Sequence, residues 1–237
     1  MPVRPDGPPE EREPARRADA LRNHERILAA AGEAFVTNGP TAPLDDIAKR
    51  AGVGPATLYR NFPDRTALLR AVALDIIGRV AVEAEAALAE EPEPIQALAR
   101  YMHRALDLRI SAVMPAIVGE IDTDEELLAL RDRSARPVLR MMELAQERGQ
   151  LRTDIAFGDI GSLLGRLSRP LPGLFTREVD IALAHRHLDL VLDGLRVTLA
   201  PGSGQPLPGP TITFDDLQRL GERPSVERPS DDPAVGS

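Results

Sequence analysis

Apolar residues return along this chain at intervals of three and four, the spacing that gathers them on one side of an α-helix. Ile27, Leu28, Ala31, Ala34 and Phe35 make the first such stripe. They predict a helix capped at Asp19 or Asn23 that runs to about Thr37, where Asn38, Gly39 and Pro40 end it. A shorter pattern follows in residues 44–62. Ile47 and Ala51 share a helix face, Gly52 supplies a left-handed stop, and Val53 puts an apolar side chain into the turn. Pro55 restarts the chain at a position where its missing N–H costs nothing, and Leu58 with Phe62 gives the new helix one buried face. Ala48 is small, as a steep helix crossing at a tight turn requires. Asp64 then caps a helix with Leu68, Leu69, Val72, Ile76, Val80 and Leu88 in period, extending to about Glu90. At 1.5 Å per residue that helix spans ~40 Å, more than a small domain needs, so it should lead into a second body.

Pro92 and Pro94 break the chain, after which Ile95, Leu98, Ala99, Met102 and Leu106 predict an amphipathic helix to about Arg109. A shorter apolar element from Ile110 is punctuated by Pro115 and Gly119. Leu127, Leu128, Leu130, Ala135, Val138, Leu139, Met142 and Ala145 give one or two helices, interrupted or kinked near Pro137, and residues 149–154 end the run. Ile160, Leu163, Leu164 and Leu167 mark a penultimate helix closed by Pro170, Pro172 and Gly173. The last begins near Val179 or Asp180 and carries Ile181, Ala184, Leu188, Val191, Leu192, Leu195 and Leu199. Residues 1–18 and 200–237 are rich in Pro and charge and poor in apolar side chains, so both are expected to be disordered tails. Phe214, Leu217 and Leu220 have the spacing for one or two turns of helix against the body. The expected fold is all-α, with a small domain over 19–66 and a larger helical domain over 67–199.

The pattern over residues 44–62 is that of a helix-turn-helix, a unit that reads DNA. Its second helix, Pro55 to Asn61, keeps Ala56, Thr57, Tyr59, Arg60 and Asn61 off the core face. A major groove admits one α-helix, hydroxyls and an amide can bond phosphate oxygens, and an arginine can take guanine bidentately or hold a phosphate. A plain helical hairpin within a bundle is the other reading of the same residues. Thr41 can bond a phosphate or cap a helix, and Arg16 and Arg17 sit where a flexible arm could enter a minor groove.

Charge supports this division of labour. The net charge of the 237 residues is −8, but residues 1–70 hold eleven Lys and Arg against ten Asp and Glu, leaving 18 against 27 for the rest. Contact with DNA depends on charge at the contact surface, so Arg22, Arg26, Lys49, Arg50, Arg60 and Arg65 can serve while an acidic body faces away. The absence of cysteine excludes disulfides and thiolate metal sites. Neither a membrane-spanning run nor a signal peptide is evident, and a cytoplasmic location is expected. His185 and His187 are two apart and point to different sides of a helix, His24 and His103 are isolated, and no nucleophile motif, carboxylate pair or phosphate loop appears. No metal, cofactor or enzymatic activity is therefore expected.

From about Asp19 to Val72 the chain resembles the DNA-binding domain of the tetracycline-repressor (TetR) family. The resemblance rests on Phe35 with Gly39, the run from Asp46 to Val53, the run from Thr57 to Phe62, and Leu68-Leu69. It implies that Thr57 and Tyr59 contact phosphates or base methyls and that Arg65, where the family usually has lysine, grips a phosphate. Gly54 and Pro43 stand where hydroxyl residues are usual, so some backbone contacts are expected to be weaker or to be supplied by main-chain N–H groups. Asn61 and Thr66 replace residues common there. The resemblance further implies a homodimer through the last two helices, an inverted-repeat operator on double-stranded DNA, and a small-molecule effector in the large domain. Low aromatic content suggests an apolar effector, with Tyr101, Met102, His103 and Met114 as candidate pocket residues; the plainer and favoured reading puts Met102 in the core and leaves Tyr101 and His103 partly exposed. A helical ligand-binding or enzymatic protein with a merely structural helix-turn-helix is the rival reading.

Overall fold

The structure, a computed structural model, describes residues 9–110, 113–114, 120–121, 124–169, 171, 175–196 and 207–221; the side chains of residues 9–17 and 220–221 are excluded. Among the described residues there are nine helices. They are α1 (Pro9–Asn38), α2 (Leu44–Ala51), α3 (Pro55–Asn61), α4 (Arg65–Glu90), α5 (Pro94–Leu108), α6 (Glu125–Glu147), α7 (Phe157–Leu167), α8 (Arg177–Leu195) and α9 (Phe214–Gly221). The only extended pairing among them is an isolated antiparallel bridge between Leu151 and Arg196.

The local signals act where the sequence places them. Gly39 and Gly52 have φ of 73° and 65°, and the Val53 N–H reaches back to the Ala48 carbonyl at 3.0 Å. Pro55 opens α3, and the Asp64 carboxylate accepts the Ala67 N–H at 2.8 Å to cap α4. Asp124 caps α6 in the same way through the Leu127 N–H. Gly149, φ 65°, closes α6, with the Gln150 N–H on the Ala145 carbonyl. Pro137 lies inside α6, which remains one assigned helix from Glu125 to Glu147.

Several boundaries differ from expectation. α1 begins at Pro9, so residues 9–18 are helical and not an arm; the stretch is mostly Glu, Arg and Ala, the strong helix formers. α8 begins at Arg177, capped by the Thr176 hydroxyl. The C-terminal segment also contradicts its expected disorder. α9 packs on α7, the Gly158 N–H donates to the Ile212 carbonyl at 2.9 Å, and Phe214 sets its ring edge-on to Phe157 with centroids 5.1 Å apart. Leu199, Pro115, Gly119, Pro170, Pro172 and Gly173 lie outside the described residues.

Two hydrophobic cores share α4. The first gathers Ile27, Phe35, Ile47, Leu58, Phe62 and the half of α4 from Leu68 to Ile77, and takes in Val113, Ile121 and Leu127. The second begins at Val80 and gathers α5, α6, α7 and α8 around Leu98, Met102, Val138, Met141 and Leu188. The first three turns of α4 thus pack into the same core as the helix-turn-helix. Each large apolar side chain buried this way is worth about 1.5–3 kcal/mol. The junction is pinned on its surface by Arg70, whose guanidinium meets Asp124 at 2.5 Å and Glu126 at 2.6 Å.

Candidate nucleic-acid interface

The helix-turn-helix is built inward from Ile47, Ala48, Ala51, Leu58 and Phe62, all buried, and this fixes which side of α3 faces out. Gly54, Pro55, Ala56, Tyr59 and Arg60 are exposed, and Thr57 and Asn61 are half-buried. Tyr59 is 48% exposed, an unusual position for an aromatic ring in a helix whose other large apolar residue is 1% exposed. The polar groups beside it are already ordered. The Arg60 guanidinium folds back along its own helix to the Thr57 hydroxyl at 3.1 Å and the Ala56 carbonyl at 3.3 Å, and the Asn61 amide donates to the Thr57 carbonyl at 2.8 Å. Arg60 can exchange these solvent-exposed bonds for a phosphate or a base edge at small cost.

Thr41 is exposed at the entry to α2, where Pro43 is the N-cap and makes no side-chain bond. Arg65 has a role that the sequence did not disclose. Its Nη1 donates to the carbonyls of Pro40 at 2.9 Å and Ala42 at 2.6 Å, so it binds the turn carrying Thr41 to the start of α4. Arg16 and Arg17 lie in α1 and not on a flexible arm; their side chains are outside the described residues.

Two further contacts position the unit. His24 of α1 packs its ring 4.9 Å from that of Phe62, and Arg26 reaches the Gly52 carbonyl at the α2–α3 turn. Glu33 of α1 bonds Arg177 of α8 at 2.8 Å and faces Arg50 of α2 at 3.5 Å. The Arg177 hydrogen bond, reinforced by the charges of Arg177, Arg50 and Arg109, holds the Glu33 carboxyl below the usual carboxylate range. One carboxylate thus ties the DNA-facing unit to a helix far along the chain.

The four candidate effector residues are not brought together. Tyr101 and Met102 are buried in the second core, and burial pushes the Tyr101 phenol up from its ordinary value. Met114 packs against the first core. His103 instead joins a chain across two helices: its Nε2 meets Asp189 at 3.0 Å, its Nδ1 meets the Nδ1 of His185 at 2.8 Å, and the His185 Nε2 meets Asp107 at 2.9 Å. The rings are nearly parallel, 10° apart, with centroids at 5.1 Å. A ring nitrogen sits little more than an ångström from its ring centre, so these distances set the rings edge to edge with nitrogen facing nitrogen. Which ring nitrogen donates at each of these contacts is set by the tautomers of the two histidines. Among the described residues no group of three or more His, Cys, Asp or Glu side chains is arranged to hold a metal ion, and no helix is long and apolar enough to cross a membrane.

A short helix held by its buried face, presenting Thr57, Tyr59 and Arg60 beyond a glycine turn, defines a helix-turn-helix DNA-binding regulator. The comparisons give the family. Residues 27–72 match the bacterial regulatory proteins of the tetR family, and residues 93–197 match the C-terminal domain of SbtR-like transcriptional regulators. The HTH-type transcriptional repressor LfrR of Mycolicibacterium smegmatis is 30% identical over 132 residues, covering 56% of this chain and 70% of LfrR. A TetR transcriptional regulator from Streptomyces coelicolor, known by its crystal structure, is 34% identical with a TM-score of 0.51 over 74% of this chain and 99% of that one. The structure of LfrR in complex with proflavine aligns with a TM-score of 0.52 at 27% identity over 71% and 95% of the two chains. The chain belongs to the TetR family of transcriptional regulators, and it is a DNA-binding regulator of transcription.

Proposed function

We propose that this protein is an effector-responsive repressor that acts in the cytoplasm as a homodimer on an inverted-repeat operator, without enzymatic activity of its own. The observation that carries the DNA reading is the outward face of α3. Gly54, Pro55 and Ala56 at its start are bare enough for main-chain approach to a phosphate, and Thr57, Tyr59, Arg60 and Asn61 follow within two turns. Thr41 and, through its grip on the 40–42 turn, Arg65 flank that face. Dimerisation is supported by α8, where Val179 is 44% and Leu190 63% exposed on one side of a helix whose other side buries Leu188, Leu192 and Leu195. Among the described residues nothing lies within 4 Å of where a Cβ would stand at Gly161 or Gly194, so a second copy can approach α7 and α8 closely. The effector reading follows LfrR, whose structure contains proflavine.

The test is a salt titration of binding to a selected duplex. Each of Tyr59→Ala and Arg60→Ala should weaken binding by about 1–3 kcal/mol while leaving the melting temperature within a few degrees. For a phosphate contact the loss is uniform across sequences and the salt slope falls by about one; for a base contact specificity relaxes at one position. Unchanged affinity in both variants would remove α3 as the reading helix.

A further inference from the structure

Arg109 closes α5 in the left-handed region, at φ 54° and ψ 27°, the sole non-glycine residue with positive φ among those described. A Cβ-bearing residue is disfavoured there, and Gly or Asn is the usual occupant. Its half-buried guanidinium lines two cavities, one of about 80 Å³ against α7 and α8 and one of about 180 Å³ between α1, α4 and α8; Arg177 and Asp107 line both as well.

The carboxylates around Arg109 are all engaged elsewhere. Glu33 is taken by Arg177 and Arg50, Asp107 by His185 and by Arg104 at 3.4 Å, and Asp75 by Arg79 at 3.7 Å; Asp180 accepts the Leu171 N–H. Arg109 bonds the Leu106 carbonyl through its own N–H and takes the Val113 N–H on its carbonyl, but among the described residues its side chain makes neither a hydrogen bond nor an ion pair within 4 Å. Arg177 bonds Glu33 from within the cleft, and the charges of Arg50 outside it and Arg109 inside it act on the same carboxylate. The larger cavity adds an apolar wall from Leu28, Ile76, Leu108 and Val113.

We propose that this cleft binds a small organic monocarboxylate with a short apolar body. Its carboxylate pairs with Arg109 bidentately and its body lies on the apolar wall. A monoanion fits better than a phosphate, because a dianion would also face Glu33, Asp75 and Asp107. The occupied ligand competes with Glu33 for Arg177. Loss of the Glu33–Arg177 bond would uncouple α1, and with it Arg50 of α2, from α8, which gives the ligand different affinities for the DNA-bound and DNA-free arrangements. This last consequence rests on the effector-responsive reading given above; binding in the cleft does not.

The experiment titrates benzoate and hexanoate into the full-length protein by calorimetry, with benzamide as a neutral control of the same shape, and repeats the series on Arg109→Gly. Glycine suits the left-handed position, so this variant should melt no lower than the wild type. The expected result is binding of at least one carboxylate, none of benzamide, and at least a tenfold loss of affinity in Arg109→Gly, about 1.4 kcal/mol. Equal binding of benzoate and benzamide, wild-type affinity in Arg109→Gly, or no binding of either carboxylate would overturn the proposal. Operator binding measured with and without the carboxylate separates the two claims. A ligand that binds through Arg109 and weakens DNA binding supports both; one that binds through Arg109 and leaves DNA affinity unchanged supports the site and overturns its coupling to DNA binding.

Discussion

The turns around the helix-turn-helix are set by residues that act on their own backbone. Gly52, Pro55 and Asp64 set a left-handed stop, a helix start and a cap, and each does so within a few positions of itself. Tyr101 too follows from its near neighbours, with a stricter use of spacing: it lies three after Leu98 and four before Ala105, which places it on the buried stripe where it is found. Arg65 is the contrary case. Its acceptors are carbonyls 23 and 25 residues earlier, and no side-chain pattern encodes a carbonyl. The geometry separates a structural from a DNA-contacting arginine. Arg65→Lys keeps the charge but loses the planar fork, so it should lower stability in urea by about 1 kcal/mol while operator affinity, measured on the folded protein, falls little. A large loss of affinity with unchanged stability would instead make Arg65 a direct phosphate contact.

A helix is legible in the sequence where an apolar face repeats over several turns, and its ends are not where charge or a short tail decides. Residues 9–18 carry few apolar side chains, so periodicity is silent there; their Glu, Arg and Ala favour helix while Pro14, inside α1, opposes it. α9 has a short apolar face, and its docking depends on what α7 lacks. A Cβ at Gly158 would stand 2.4 Å from the Ile212 carbonyl oxygen and 2.6 Å from the Ile212 Cβ, closer than real atoms approach. Gly158→Ala should therefore release residues 207–221 without unfolding α7, seen as faster amide exchange at Gly158 and faster proteolysis of the tail. Retained protection in that variant would show that the tail is held chiefly by the Phe157–Phe214 contact and the Leu207 N–H bond to Asp154. The chain from Asp189 through His103 and His185 to Asp107 belongs to this scale as well. Each helix carries a His and an Asp four apart, but only the antiparallel approach of α5 and α8 sets 103 opposite 189 and 107 opposite 185, and that approach is tertiary.

For the whole molecule, the sequence divided the chain near residue 66, whereas packing divides it within α4 between Ile77 and Val80. One continuous helix thus belongs to both cores, which makes it the mechanical link between the body and the reading helix, and Glu33 with Arg177 is a second link on the other side. The charge asymmetry runs the same way, with residues 1–70 near neutral and the acidic excess lying beyond them. The central claim is that two copies of α3 read two half-sites in successive major grooves. The most direct test is selection of bound duplexes from a random DNA library by the purified protein, with the winners sequenced. The account predicts an inverted repeat whose half-sites are spaced by one helical turn, ~34 Å, or a multiple of it, and whose enrichment is lost in Tyr59→Ala. A selection by folded protein at low salt that enriches no sequence, or enriches the same sequences in Tyr59→Ala, would contradict it.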